Sequence, residues 1–107
     1  MTLYLLALGV TLAVEVPLVA LLFPGRRARM AVACALATTA THVFMHFALP
    51  RFLPSPRDVL LVGETVAVGF EAGVYALVSR DLGRSLVASA LANSASYGAG
   101  LIILAFL

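Results

Sequence analysis

The sequence predicts an all-α fold, a four-helix transmembrane bundle with up-down topology and short loops. Apolar residues make up 63% of the 107 residues and charged residues only 11%, whereas a soluble domain has about 45–50% and about 25%. Four apolar runs are long enough to cross a hydrocarbon core, which takes roughly 20 residues. Because a soluble protein of this size could not bury so much apolar surface, we expect a single integral membrane domain over residues 1–107.

Three breaks rich in Pro, Gly and Arg separate the runs. "PGRRAR" at 24–29 ends the first run with Pro-Gly and three Arg, and "PRFLPSPRD" at 50–58 contains three prolines. "SRDLGRS" at 79–85 adds a Gly and two Arg. Because these residues interrupt regular structure, they mark loops between four spans, at residues 3–23, 30–49, 59–78 and 86–107.

The arginines predict the orientation of the chain. Five of the seven basic residues lie in loops 24–29 and 79–85, and two lie in loop 50–58. Because cytoplasmic loops carry an excess of basic residues, loops 24–29 and 79–85 are predicted to be cytoplasmic, with both termini outside. The arginines are interpreted as membrane anchors, so no nucleic-acid partner is expected.

One polar residue lies at a similar depth in every span. Counted from the predicted cytoplasmic ends, these residues lie seven or eight positions into their runs, which is roughly 10–12 Å at the helical rise per residue. Four helices therefore agree on one level near the bilayer midplane. The four residues are Glu15, Thr38, Glu71 and Asn93.

Helical spacing places other polar residues on the same faces. Thr38, His42 and His46 follow one another at intervals of four, and Glu64 lies seven residues before Glu71. These intervals place residues on one face of a helix. The fourth span has a stripe of small and polar residues, the type of surface that membrane helices use for close contact, formed by Ser85, Ser89, Asn93, Ser96 and Gly100.

The three glutamates, Glu15, Glu64 and Glu71, all lie within apolar runs. An ionised carboxylate at the centre of a membrane helix costs about 2.5–3.5 kcal/mol, so three facing lipid would cost on the order of 8–10 kcal/mol. This is comparable to the whole stability of a protein. We therefore expect the glutamates to face the bundle interior and to be protonated, hydrogen-bonded or paired.

The leading functional hypothesis is a site for a proton, a cation or a small polar ligand in a transporter-like or ion-coupled protein. Intramembrane acids commonly serve such sites. Glu15 and Glu71 are the expected titrating acids, and Thr38, Asn93 and Ser96 are expected to orient them. A structural role, in which protonated carboxyls only fix the register of the helices, remains open.

A second group is predicted nearer the outside. His42, His46 and Glu64 would form a relay or a ligand set there, with His46 and Glu64 as a hydrogen-bonded pair. Two histidines four residues apart can also bind one metal ion, which leaves open an intramembrane metalloenzyme with a divalent metal as cofactor and Glu64 or Glu71 as a further ligand. The motif reads "HVFMH", without the glutamate of HExxH.

A third hypothesis is a non-catalytic accessory or assembly subunit of a larger membrane complex. Small residues favour packing against other helices, and Gly69 and Gly73 form a GxxxG pair. The expected partners are therefore the lipid bilayer and either further copies of this chain in a homo-oligomer or the other subunits of a membrane complex. The single cysteine, Cys34, allows no intrachain disulfide and is interpreted as a small packing residue.

In size, number of spans and the mid-helix glutamate of "LAVEV", the chain resembles small multidrug resistance transporters. Its third span, "GETVAVGFEAGVY", has two further acids and lacks the aromatic-rich central signature of that family. The assignment to that family is therefore rejected.

More closely, the chain resembles a loose group of small uncharacterised bacterial four-span membrane proteins. The shared features are "VEVP" in the first span, "ATHV" in the second, paired Glu in the third and Asn-x-x-Ser-x-x-Gly in the fourth. Here the last motif has Asn93 and Ser96, with Gly98 one residue early and Gly100 behind it, and Val43 stands where the group has Pro. The resemblance covers nearly the whole chain. It implies the four-span fold and a location in the cytoplasmic (inner) membrane of a bacterium, but no activity.

Overall fold

The computed structural model describes residues 2–106, in which four helices form an antiparallel ring. Each helix packs against its neighbours in the chain, and the fourth closes the ring against the first. The predicted four-helix fold is therefore confirmed; the predicted domain ends, Met1 and Leu107, lie outside the described residues. The helices are α1 (Thr2–Leu22), α2 (Arg27–Val43), α3 (Pro56–Ser79) and α4 (Leu82–Ala105).

The outer surface of the ring is apolar. All four helices, with the extension of α2 to Arg51, are long and apolar enough to cross a membrane. Large side chains such as Leu3, Leu77 and Leu101 are exposed on this surface, where lipid rather than water would surround them. The chain is thus a multi-pass membrane protein.

The second span changes its helical geometry before it ends. A π-helical turn, Phe44–Ala48, follows α2, and a 3-10 turn, Leu49–Arg51, follows that. The N–H of Leu49 donates to the carbonyl of Phe44, five residues back. Pro50 cannot donate a backbone hydrogen bond, so the regular helix ends here. π-helical turns are frequent at functional sites, and this one contains His46.

The connection between α3 and α4 is short. Arg80 takes a left-handed conformation (φ 62°) and its N–H donates to the carbonyl of Ala76 at 2.8 Å, which satisfies one of the last carbonyls of α3. The carboxylate of Asp81 then accepts from the N–H of Arg84 at 3.0 Å, which caps the start of α4. The chain therefore reverses direction within two residues.

The arginine-rich end of the bundle is tied together and filled with apolar side chains. The guanidinium of Arg84 donates to the carbonyl of Leu22 at 2.7 Å, and that of Arg26 donates to the carbonyl of Ser79. Both contacts place positive charge at a helix C-terminus, where it is favourable. Below them lies a buried core that closes this end, formed by Val19, Phe23, Met30, Cys34, Tyr75, Ala88 and Ala92.

Helix α3 and the π-helical turn are in close contact at Gly63. A Cβ atom there would lie 2.6 Å from Cε and 2.9 Å from Cγ of Met45. Gly69 and Gly73, the predicted GxxxG pair, are exposed, and a Cβ atom at either would meet nothing within 4 Å. The pair therefore points away from the contacts between helices in residues 2–106.

We predict that Gly63→Val lowers the thermal stability of the detergent-solubilised protein, because the larger side chain overlaps Met45. Overpacking typically costs about 1–3 kcal/mol. The measurement is thermal unfolding followed by circular dichroism, with Gly69→Val as the matched control on the same helix. Equal stability of the two variants would contradict the close contact, whereas partial rescue by Met45→Ala would support it.

Candidate functional site

Glu71 of α3 is surrounded by hydrogen-bond donors from three helices. Its Oε1 accepts from the hydroxyl of Tyr75 at 3.3 Å and from Nδ2 of Asn93 at 3.2 Å, and lies 3.5 Å from the hydroxyl of Thr38. Its Oε2 accepts from the hydroxyl of Thr41 at 3.1 Å. Both carboxyl oxygens therefore have protein partners.

Glu15 of α1 shares the hydroxyl of Thr38 with Glu71. Its Oε1 accepts from the hydroxyl of Thr38 at 3.0 Å, and its Oε2 accepts from the hydroxyl of Ser96 at 2.5 Å. Thr38 thus lies between the two carboxyls. Since a hydroxyl has one hydrogen and two lone pairs, Thr38 can donate to one carboxyl and accept from the other when that one is protonated.

The cluster is deeply buried. Glu15, Thr38 and Glu71 are each 1% exposed, and Asn93 is 6% exposed. The structure thus brings the four residues predicted to share one depth, together with Ser96, into one hydrogen-bonded group. We call it the inner cluster, formed by Glu15, Thr38, Thr41, Glu71, Tyr75, Asn93 and Ser96.

Two members of the inner cluster, Thr41 and Tyr75, were not among the predicted site residues. Thr41 lies three residues after Thr38 and Tyr75 lies four residues after Glu71, spacings that place them next to the predicted residues on the same helical faces. Thr41 is also the threonine of "ATHV". The helical spacing therefore indicates both residues, although Tyr75 by itself resembles an ordinary core aromatic residue in an apolar run.

A cavity of about 210 Å³ extends from the inner cluster toward the π-helical turn. All three glutamates and both histidines line it, so the two groups predicted at different depths share one space. Apart from those histidines, no basic side chain is among its walls in the described part of the chain. The walls are formed by Thr11, Glu15, Thr38, Thr41, His42, Met45, His46, Leu60, Glu64, Ala67, Glu71, Asn93, Ser96 and Tyr97.

The histidines stack instead of pairing with a glutamate. The rings of His42 and His46 are nearly parallel (11°), with centroids 6.1 Å apart, and the ring of Tyr4 meets His46 edge-on at 4.5 Å. In residues 2–106, Glu64 makes no hydrogen bond or ion pair with either histidine. The predicted pair of His46 and Glu64 is therefore not formed, since His46 packs against Tyr4.

The metal hypothesis depends on three ligands coming together. Within the described residues, no group of three His, Cys, Asp or Glu side chains is arranged to hold a metal ion. His42 and His46 face the same cavity as Glu64 and Glu71, but this arrangement does not assemble the predicted ligand set.

The two ends of the bundle differ in their openness. Toward the Pro-rich loop, the cavity shares Met45, His46 and Leu60 with a neighbouring cavity of about 430 Å³ that is bounded by Pro50 and Pro54. Toward the arginine-rich loops, the buried apolar core lies against the inner cluster through Tyr75. The geometry thus favours approach from the side of the Pro-rich loop.

Comparison of the chain with protein-family models, curated proteins and solved structures finds no match in any of the three.

We predict that Thr38→Val destabilises the protein by about 1–3 kcal/mol, the usual cost of leaving a buried polar group without its partner. The substitution preserves shape but removes the hydroxyl between Glu15 and Glu71. Thr39→Val is the matched control, because the hydroxyl of Thr39 donates only to the carbonyl of Ala35 in its own helix, at 2.7 Å. Chemical or thermal unfolding of both variants, in one detergent, gives the comparison; a Thr38→Val variant as stable as Thr39→Val would contradict the role of Thr38.

Proposed function

We propose that this chain is a small membrane protein whose inner cluster binds a proton or a small cation, as a transporter-like or ion-coupled component. The observation that carries the proposal is the bridge from Glu15 through Thr38 to Glu71. Two carboxylates this close in a water-poor site repel each other strongly. A proton or another cation held between them relieves that repulsion.

The hydrogen bonds support a shared proton. When one carboxyl is protonated, its O–H can donate to the oxygen of Thr38 while the hydroxyl of Thr38 donates to the other carboxyl. The carboxyl proton then moves to the oxygen of Thr38 while the hydroxyl proton of Thr38 moves to the other carboxylate. The two transfers move the negative charge from one glutamate to the other and leave the hydroxyl pointing toward the carboxyl that lost its proton. Asn93 and Ser96 hold the two carboxyls by donating to Glu71 and Glu15, respectively.

The cavity supports exchange with the surroundings. It leads from the inner cluster to His46, an exposed residue at the end of the bundle that contains the Pro-rich loop. In the proposed orientation, this loop and both termini face the outside of a bacterial inner membrane, and the arginine-rich loops face the cytoplasm. A cation would therefore reach the cluster from outside.

We predict that the infrared band of protonated carboxyl groups in the purified protein changes reversibly with pH. Glu15→Gln and Glu71→Gln should each remove most of this change, because the two carboxyls form one site. Asp58→Asn is the matched control, since Asp58 is exposed in the first turn of α3 and should leave the change in place.

A band that does not respond to pH would contradict the proposed function and would favour the accessory or assembly subunit. That alternative has one structural observation of its own, the exposed Gly69 and Gly73, which leave room for a helix of another protein to approach. Loss of the pH response in Asp58→Asn alone would also count against the inner cluster.

The orientation gives a separate prediction in intact bacterial cells. A cysteine at Phe52, which is 78% exposed in the Pro-rich loop, should react with a membrane-impermeant maleimide. A cysteine at Leu82, 62% exposed beside the arginine-rich end, should react only after the cells are permeabilised. Native Cys34 is fully buried and provides the unlabelled background. The reverse pattern would invert the topology, and equal labelling would indicate both orientations.

A further inference from the structure

The outer half of the cavity is lined by His42, Met45, His46, Leu60, Glu64 and Tyr97. It contains two polar groups without a protein partner. Glu64 is half-buried and makes no hydrogen bond or ion pair with residues 2–106. Nδ1 of His42 is shielded from solvent and likewise has no partner in this part of the chain. By contrast, every carboxyl oxygen of Glu15 and Glu71 has a hydrogen-bond partner.

Such groups are expensive unless something binds to them. A buried polar atom without a partner costs about 1–3 kcal/mol, and a carboxylate inside a membrane costs more when it is unpaired. In the inner cluster, the carboxyl oxygens of Glu15 and Glu71 already have hydrogen-bond partners within the protein. In the outer half of the same cavity, the carboxylate of Glu64 remains available as an acceptor. A ligand can therefore form hydrogen bonds in the outer half without displacing a protein partner.

The chemistry of these groups selects the ligand. A carboxylate only accepts hydrogen bonds. A primary ammonium group carries a positive charge and three donors, so it can form both an ion pair and hydrogen bonds with the carboxylate of Glu64. Nδ1 of His42 has no accessible surface and takes no part in this contact. The remaining walls of this half, including Met45, Leu60 and Tyr97, suit a short hydrocarbon chain.

The size of the cavity is sufficient for a small ligand. Its volume of about 210 Å³ exceeds the roughly 150 Å³ that holds benzene, so a short alkylammonium ion fits within it. Leu60 and Glu64 also line a neighbouring cavity of about 370 Å³, so the volume sets a lower and not an upper limit on the ligand.

We propose that the outer half of the cavity binds a small primary amine in its ammonium form, with Glu64 accepting hydrogen bonds from the ammonium group. This inference rests on the proposed cation-binding function and names the class of cation. The stacked ring of His46, held by Tyr4, lies at the outer side of this site.

The test is calorimetric titration of the purified protein with n-propylammonium chloride at constant ionic strength. Tetramethylammonium chloride is the matched probe, because it has the same charge and a similar size but no N–H donor. We expect n-propylammonium to bind at least about tenfold more tightly than tetramethylammonium, and Glu64→Gln to weaken its binding by at least about tenfold, a factor equivalent to about 1.4 kcal/mol.

Thr65→Val should leave the affinity unchanged, because the hydroxyl of Thr65 donates to the carbonyl of Leu61 in its own helix. Circular dichroism checks that each variant is folded, and Glu64→Asp provides a second variant that keeps the charge and should retain measurable binding.

Absence of n-propylammonium binding, equal affinity for both probes, or unchanged affinity in folded Glu64→Gln would each overturn the inference. These outcomes are separate from the test of the proposed function. If the infrared band still responds to pH through Glu15 and Glu71 while n-propylammonium fails to bind, the inner cluster remains a proton site and only the amine site is lost.

Discussion

The fold depends on the requirement that carboxyl groups inside a membrane have partners. Glu15 and Glu71 enter the bundle from α1 and α3, and their partners come from α2 and α4, most directly Thr38 and Asn93. Because successive helical residues are about 100° apart, a rotation of any helix by one position would turn its contribution away from the centre. The hydrogen bonds therefore set the rotation of all four helices, which the apolar surfaces alone, being similar to lipid, would leave weakly defined.

The parts of this arrangement that follow from counting could be predicted from the sequence. Pro, Gly and Arg mark the loops, and the depths of Glu15, Thr38, Glu71 and Asn93 within their spans place these residues at one level. Helical spacing also places His42 and His46 on the cavity side with Thr38, as the structure shows.

Contacts that depend on local geometry could not be predicted in this way. His46 lies within the π-helical turn, and Tyr4, which no motif singles out, takes up the contact expected for Glu64. Tyr75 is an aromatic residue in an apolar run, and only the position of Glu71 one turn earlier reveals the role of its hydroxyl. Depth and face are properties of a regular helix, whereas ring packing depends on irregular turns and on neighbouring helices.

The inner cluster divides the bundle into two unlike halves, and this division constrains any transport mechanism. On the arginine-rich side, Ala88 and Ala92 leave space that Phe23 and Tyr75 fill. Opening this side would require the guanidinium contacts of Arg26 and Arg84 with the ends of α3 and α1 to break. Hydrogen bonds to charged groups contribute about 1.5–3 kcal/mol each, and solvent exposure reduces the contribution of Arg84. These two guanidinium contacts are weak enough to exchange, but the buried apolar core beneath them would also have to separate for this side to open.

One cavity shared by two proposed cation sites has a further physical consequence. A positive charge beside Glu64 and a proton between Glu15 and Glu71 repel each other through a space with little water, where electrostatic interactions are stronger than in bulk solvent. Binding at either site then lowers the affinity of the other by the same factor, as linkage requires. A cation that arrives from the Pro-rich side would therefore favour release of the proton from the inner cluster. Coupling of this kind needs no large conformational change, because the charges act directly through the cavity that contains Glu15, Glu64 and Glu71.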